Sequence, residues 1–290
     1  MKKIFILGMG VQKAGTTWVH AYLSDFAEVN FGFQKEYHVL DYNINAFKKM
    51  NIKRMMSLSE LQNFHQEINT GNLDKIPNRI SSNLMTSSMI THESLYYSYF
   101  DDLLSGETFI TGDFTPEHAG LTKAKLRDLK NKFKKRGIDV FPLFIMRDPL
   151  ERLRSNVSMT IANKGIKIQS DEELTEIKNY QLTRRDRIKS DYLSTINNIK
   201  DVFNNNCFIS FYEEIFTENE VHKLTNALGL SYKKPKFKTF SNKASRGKAD
   251  IDNKHAQEIA LNYKEVYLGM YDMFGKDYIR TIWESSKYID

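Results

Sequence analysis

The sequence predicts an α/β fold in which a central parallel sheet lies between layers of helices. Two observations carry this. Short apolar runs rich in β-branched and aromatic residues recur at Ile4–Met9, Thr108–Thr111, Val140–Met146 and Phe208–Phe211, the length and composition of buried strands. Helical patterns alternate with them at Thr17–Phe26, Leu121–Arg136, Asp148–Ala162, Arg187–Phe203, Glu218–Leu228 and Lys254–Phe274. Strands separated by helices return to the same sheet through crossovers, so the strands run parallel and both faces are covered.

Each element has a local reason. Lys2 and Lys3 followed by the apolar run Ile4 to Val11 imitate a secretory leader. Only roughly eight residues pass before Gln12 and Lys13, and no Ala-x-Ala site follows, so a first strand entering a loop is the better reading. Gly137 and Gly229 are placed to stop the helices before them, and Pro149 suits the first turn of its helix. From Asn43 to Leu104 the strand signals weaken, and a helical insertion over about 43–104 is expected. Ser57-Leu58-Ser59-Glu60 resembles a capping box there. Met89, Ile90, Leu95, Tyr96, Tyr99, Phe100 and Leu103 form a stripe read as core packing within a helix over Ser87–Leu104. No repeat or Pro-, Gly- or Ser-rich linker divides the chain, so residues 1–290 are expected to form a single domain.

Composition narrows the chemistry. With 41% apolar residues among 290, the chain can bury a core. The single cysteine, Cys207, excludes an internal disulfide and a multi-cysteine metal site, which fits a reducing, cytoplasmic setting. The net charge of +6 favours anionic partners. No run approaches the roughly 18 apolar residues of a membrane span. The basic helix with Lys123, Lys125, Arg127, Lys130, Lys132, Lys134, Lys135 and Arg136 reads as a solvated outer face, and without interleaved aromatics it gives no case for single-stranded nucleic acid. Oligomeric state is left open.

In a parallel sheet, ligands gather beyond the carboxyl ends of the strands. The loop Gln12-Lys13-Ala14-Gly15-Thr16-Thr17-Trp18 follows the first run, Asp113 the second, Arg147 the third and Tyr212 the fourth. Gly10 to Thr17 matches most of a phosphate-binding loop, with Gly10, four residues, Gly15, then Thr16 and Thr17. Glycines let the backbone curl around an anion while the next helix adds positive potential. A Walker loop has Lys directly after its second glycine, but here the lysine is Lys13 and no magnesium-holding partner accompanies it. Arg147-Asp148-Pro149, with Arg152, Arg154 and Ser155 following, places a guanidinium at a strand end and a hydroxyl eight residues on, able to converge on one phosphate.

Together these segments resemble the sulfotransferases that use 3′-phosphoadenosine 5′-phosphosulfate (PAPS), whose fold is P-loop-like and three-layered αβα. Lys13-Ala14-Gly15-Thr16-Thr17-Trp18 is similar to the family's 5′-phosphosulfate loop. Arg147 and Ser155 occupy the contact positions of its 3′-phosphate motif, with Arg152 at the intervening arginine. Tyr212-Glu213-Glu214-Ile215 resembles the strand end whose tyrosine lies near the nucleotide, and Asn242–Lys248, with Arg246, Gly247 and Lys248, the loop that closes over it. The resemblance implies PAPS as donor, the 3′,5′-bisphosphate PAP as product, no metal, and transfer of sulfuryl to a hydroxyl or amine on a small molecule, glycan or peptide. Lys13 would stabilise the leaving phosphate.

For the base, Gln34-Lys35-Glu36-Tyr37-His38 resembles the family segment whose glutamate serves, which implies Glu36. Val39 stands where that segment ends in an aromatic. Nearby lysines lower a carboxylate's pKa, so Glu36 needs burial to act as a base; His38 rivals it because its pKa is near neutral. Asp113, in Gly112-Asp113-Phe114-Thr115-Pro116, is a third candidate or an acceptor-orienting group. Phe114 replaces a lysine common in glycan sulfotransferases and points to a different acceptor. Two other readings of the same loops are a nucleotide kinase with a displaced P-loop lysine and a non-catalytic module binding nucleotides or acidic glycans.

Overall fold

A computed structural model of the chain describes residues 2–47, 78–165, 170–237 and 251–289, with isolated positions between 62 and 70. The predicted capping box at Ser57–Glu60 and the loop Asn242–Lys248 lie outside the described residues.

In chain order the elements are β1 (Lys3–Gly8), α1 (Thr16–Ser24), α2 (Asn78–Thr91), α3 (Glu93–Leu103) and β2 (Ile110–Asp113). A 3-10 turn (Pro116–Gly120), α4 (Lys123–Lys134), β3 (Ile138–Met146), α5 (Pro149–Asn163), α6 (Ser170–Tyr180), α7 (Arg184–Ser190) and α8 (Tyr192–Phe203) follow. Then come β4 (Phe208–Phe211), α9 (Glu218–Leu228), α10 (Asn253–Leu261), α11 (Lys264–Phe274), α12 (Lys276–Ile282) and a second 3-10 turn (Glu284–Tyr288).

The strands form one parallel sheet in the order β2-β1-β3-β4. Helices cover both faces. On one, Phe5 stacks on Phe133 of α4 at 4.2 Å between ring centroids and meets Phe100 of α3 edge-on at 4.9 Å. Beside them on the same face, Phe144 packs against Tyr192 of α8; on the other face, Ser210 of β4 donates to Glu220 of α9 at 2.7 Å. Emptying a site as enclosed as Phe5 by truncation to Ala would cost about 3–5 kcal/mol. Pro142 sits in β3, an interior strand, which ordinarily excludes proline. It is tolerated because β4 begins pairing only at Leu143. On that edge before β4, the Val140 carbonyl is taken by Asn206 Nδ2 at 3.1 Å.

β1 lies between β2 and β3, so the chain leaves the sheet in opposite directions from neighbouring strands. The register Leu7↔Asp113, Gly8↔Leu143 and Met146↔Phe211 brings the four strand ends to one edge. A crevice for ligands opens at such a reversal.

The predicted strands all form, the second displaced from Thr108–Thr111 to Ile110–Asp113 so that Asp113 ends the strand rather than following it, but three predicted helices divide. Ser87–Leu104 breaks at His92, and Leu95 is exposed while Met89, Tyr96 and Phe100 join the core. Arg187–Phe203 breaks at Asp191, whose side chain accepts the Ser194 amide at 3.1 Å and so starts α8 afresh. Lys254–Phe274 breaks at Asn262 and Tyr263. Helix α4 starts at Lys123 rather than Leu121, because Thr122 caps it. Four of its lysines are tied down: Lys125 and Lys132 pair with Glu93, Lys123 with Asp201, and Lys130 donates to the Val202 carbonyl.

Candidate active site

The loop after β1 is pressed against the end of β2: a Cβ at Gly8 would come within 2.7 Å of the Phe114 Cα, so only glycine fits. The Met9 and Val11 amides then donate to the Leu143 and Ile145 carbonyls, each at 2.8 Å, fixing the loop to β3. The backbone turns left-handed at Lys13 (φ 72°) and again at Gly15 (φ 82°), which opens α1. Gly15 brings no capping side chain. The first amides of a helix have no intrahelical acceptor, so this end presents donors and positive potential. Ala14 is buried beneath the turn, Thr17 is exposed, and the Thr16 hydroxyl lies 3.5 Å from Lys35 Nζ. The Trp18 indole is buried against Tyr22, Phe216 and Phe237 and packs the loop from behind.

Arg147, at the end of β3, closes over this loop. Its Nη1 donates to the Lys13 carbonyl at 2.8 Å, and the guanidinium lies over the Tyr212 ring, 4.1 Å from its centroid. Buried Arg147 Nε has no hydrogen-bond partner among the described residues. Ser155 sits half-buried on α5, two turns on. The intervening Arg152 points elsewhere: fully buried, it donates to Asp186 and to Ser190 Oγ, and is a structural pin. Lys13 Nζ lies 3.6 Å from Met159 Sδ on α5. Lys13, Arg147 and Tyr212 are therefore brought together.

Residues from the C-terminal half hold Arg147 in place. Tyr192 donates to its carbonyl at 2.9 Å. Buried Asp148 caps α5 and also accepts from the Tyr267 hydroxyl (2.8 Å) and the Ser285 amide (2.9 Å). Glu213 accepts the Asp148 amide at 3.3 Å and Trp283 Nε1 at 3.2 Å. Burial, with Asp148 nearby, pushes the Glu213 carboxyl up to about 7. No spacing in the sequence marks these supports.

The segment after α1 brings the predicted acceptor-side residues to the same edge. Lys35 Nζ is 2.7 Å from Glu36 Oε1, and His38 Nε2 is 3.5 Å from Glu36 Oε2. Buried His38 also meets Asp41 at 3.1 Å and Glu117 at 3.8 Å through Nδ1. Burial by itself favours the neutral ring, but the hydrogen bonds with Asp41 and Glu36 outweigh it and push His38 up to about 9. For Glu36, burial raises the carboxyl, yet His38 and Lys35 hold it down at about 2. The pair is an imidazolium and a carboxylate at neutral pH. His38, Asp41 and Glu117 bring ligand-type atoms within 4.8 Å of one another, and the positive charge there is supplied by His38 and by Lys189, 3.1 Å from Glu117.

Asp113 is fully buried, and its carboxylate accepts from the Tyr37 and Thr115 amides, the Thr115 hydroxyl (2.6 Å) and the Tyr96 hydroxyl (3.0 Å). It holds the 35–38 segment against β2. Phe114 donates its amide to the Lys35 carbonyl and stands edge-on to His20 of α1, which carried no sequence signal. Burial and Lys35 hold His20 neutral, down to about 4. Arg246, Gly247 and Lys248 lie outside the described residues.

No protein-family model matches the chain, and no curated protein matches it in sequence. Among solved structures it is similar to a sulfotransferase from Alicyclobacillus acidocaldarius, with a TM-score of 0.59 and 16% identity over 96% of this chain and 98% of that one. It is also similar to a sulfotransferase domain from the curacin biosynthetic pathway, with a TM-score of 0.44 and 14% identity over 80% of this chain and 75% of that one. At this identity the first likeness establishes the architecture: the chain shares the fold of the Alicyclobacillus sulfotransferase along nearly its whole length.

Proposed function

We propose that this chain is a sulfotransferase that moves the sulfuryl group of PAPS to a hydroxyl or amine acceptor. The observation that carries this is the convergence of Lys13, Arg147 and Tyr212 at adjoining strand ends, with a buried guanidinium nitrogen that has no acceptor among the described residues. An oxygen-rich anion fits that donor set. The fold shared with a solved sulfotransferase supports the same reading.

On this reading Lys13 and the amides from Ala14 to Thr17 hold the 5′-phosphosulfate, and Arg147 with Ser155 holds the 3′-phosphate. Tyr212 backs the Arg147 guanidinium and keeps it in plane. The donor, when bound, supplies an activated sulfuryl group. The Lys13 ammonium stabilises negative charge gathering on the leaving phosphate, an interaction that strengthens toward the transition state. Glu36, kept ionised by His38 and Lys35, accepts the hydrogen bond of the acceptor hydroxyl and orients it in line; as a weak base held at about 2 it takes the proton late, once bonding to the sulfuryl group has acidified that oxygen. His38 beside it is protonated, which favours Glu36 over His38 as the base. The four donors on buried Asp113 favour a scaffolding role for that carboxylate.

Titrating the chain with PAP tests the reading. A ligand binding only the folded state at 100 times its Kd adds about 2.7 kcal/mol. A raised melting temperature without added metal, together with mass-spectrometric detection of sulfuryl transfer from PAPS to a hydroxyl acceptor library, is expected. An unmoved transition at millimolar PAP, with magnesium-dependent binding of ATP instead, would overturn it.

A further inference from the structure

A chain of alternating charges links the phosphate-binding loop to the Glu36–His38 pair and returns to the loop. It starts at Gln12, whose Oε1 accepts from Lys189 Nζ at 2.8 Å. Lys189 pairs with Glu117 at 3.1 Å, Glu117 lies 3.8 Å from His38, and His38 3.5 Å from Glu36. Glu36 then pairs with Lys35 at 2.7 Å, and Lys35 lies 3.5 Å from Thr16, the first residue of α1. The signs along the path alternate: Lys189 positive, Glu117 negative, His38 positive, Glu36 negative, Lys35 positive. Asp41, on His38 at 3.1 Å, brings the six groups to neutrality.

Lys189 is the unusual member. Its side chain is only 4% exposed, and a buried ammonium is costly unless paired and hydrogen-bonded. It sits on α7, outside every segment that resembles a nucleotide motif. Its Nζ also lies over the Phe47 ring, 5.5 Å from the centroid. A surface lysine could solvate itself, whereas this one is tied to a loop residue, Gln12, and to a member of the acidic cluster, Glu117.

We propose that Lys189 is a positioning residue that couples occupancy of the phosphate-binding loop to the placement and charge of the Glu36–His38 pair. The proposal rests on the sulfotransferase reading for its purpose, though not for its first test. When the loop moves toward an anion, Gln12 shifts its hold on Lys189, Glu117 is released or tightened, and His38 responds. Donor binding thereby sets the carboxylate that receives the acceptor.

Histidine-resolved NMR of the full chain tests this. The groups facing His38 are Lys35 and Glu36 on its own segment, Asp41 in the following turn, Glu117 on the 3-10 turn and Lys189 behind it. Removing the cation with Lys189→Met should raise the His38 midpoint by roughly one pH unit, the scale of a single charge at two contact lengths. Lys189→Arg should restore it. An unmoved midpoint in a folded Lys189→Met chain would overturn the proposal.

Gln12→Leu keeps the test usable if Lys189→Met fails to fold. In the parent chain, saturating PAP should move the His38 midpoint, and in Gln12→Leu that response should vanish although PAP still perturbs the Gly15 amide. A response that survives in Gln12→Leu would overturn the coupling. If PAP perturbs no loop amide in the parent chain, the sulfotransferase reading fails, while the ligand-free comparison still decides the role of Lys189.

Discussion

Arg147 donates through Nη1 to the carbonyl of Lys13 at 2.8 Å, so the guanidinium at the end of β3 holds the backbone of the lysine after β1. One side chain thus shapes the loop and, on the proposed function, offers its remaining donors to the ligand. Lys13 is a non-glycine residue in the left-handed region, a conformation that costs about 1–2 kcal/mol and persists only when the surroundings fix it. Arg147 is part of what fixes it.

Replacing Lys13 by Ala should lower kcat by roughly a hundred- to a thousand-fold, the range seen when one oxyanion-stabilising donor is lost. Binding of PAP should weaken far less, because the lost interaction is the one that grows in the transition state. Steady-state kinetics beside calorimetric titration separates the two. Equal losses in both would assign Lys13 to ground-state binding.

His38 makes stability pH-dependent in a defined direction. Its folded-state value of about 9 lies above the usual 6.5, so its contribution is complete below pH 6.5 and is lost as pH rises through 9. The loss amounts to something on the order of 3 kcal/mol. Urea unfolding at pH 6 and pH 9.5 should show this decline in the parent chain and a much flatter profile in His38→Gln. Equal slopes in both would remove His38 as the titrating group.

Glu213 titrates on the donor side. Its value of about 7 is raised from 4.5, so its stabilising contribution is complete below pH 4.5 and falls as pH climbs through 7. Above that, a carboxylate stands near Arg147 and competes with a bound phosphate. Glu213→Gln should therefore bind PAP more tightly than the parent chain at pH 8 and alike at pH 5.5. Matching affinities at both pH values would show that Glu213 does not sense the ligand.

Arg152→Met leaves Asp186 with a buried, uncompensated charge and should destabilise the fold by about 3–5 kcal/mol. The intervening arginine of the strand-end motif is then a matter of folding rather than donor affinity. A folded Arg152→Met chain with parent-like stability and weakened PAP binding would reverse that assignment.

Much of the fold is legible in the sequence. The four strands are short, uninterrupted apolar runs, and a parallel sheet needs little else to declare itself. The strand-end motifs followed because the register carries the residues after Gly8, Asp113, Met146 and Phe211 to one edge. Helix breaks at His92 and Asn262 were illegible because apolar spacing continues across them. Asp191 gave a cap signal, an Asp three residues before Ser194, that the longer periodicity masked. Lys189 and Glu117 could not be found from spacing: they meet each other only in three dimensions, and a lysine in a charged stretch looks like any solvated one.

Order of synthesis adds a last consequence. Ser285, whose amide holds Asp148, lies 137 residues downstream of it, and Tyr267 lies 119 downstream. A nascent chain that has emitted all of β3 carries Arg147 with none of these supports. Contacts so distant in sequence close late, because loop-closure entropy must be met before they form. If the chain holds a nucleotide as proposed, that capacity should mature after the sheet itself, and a partly synthesised chain would have strands in place yet no grip on the ligand.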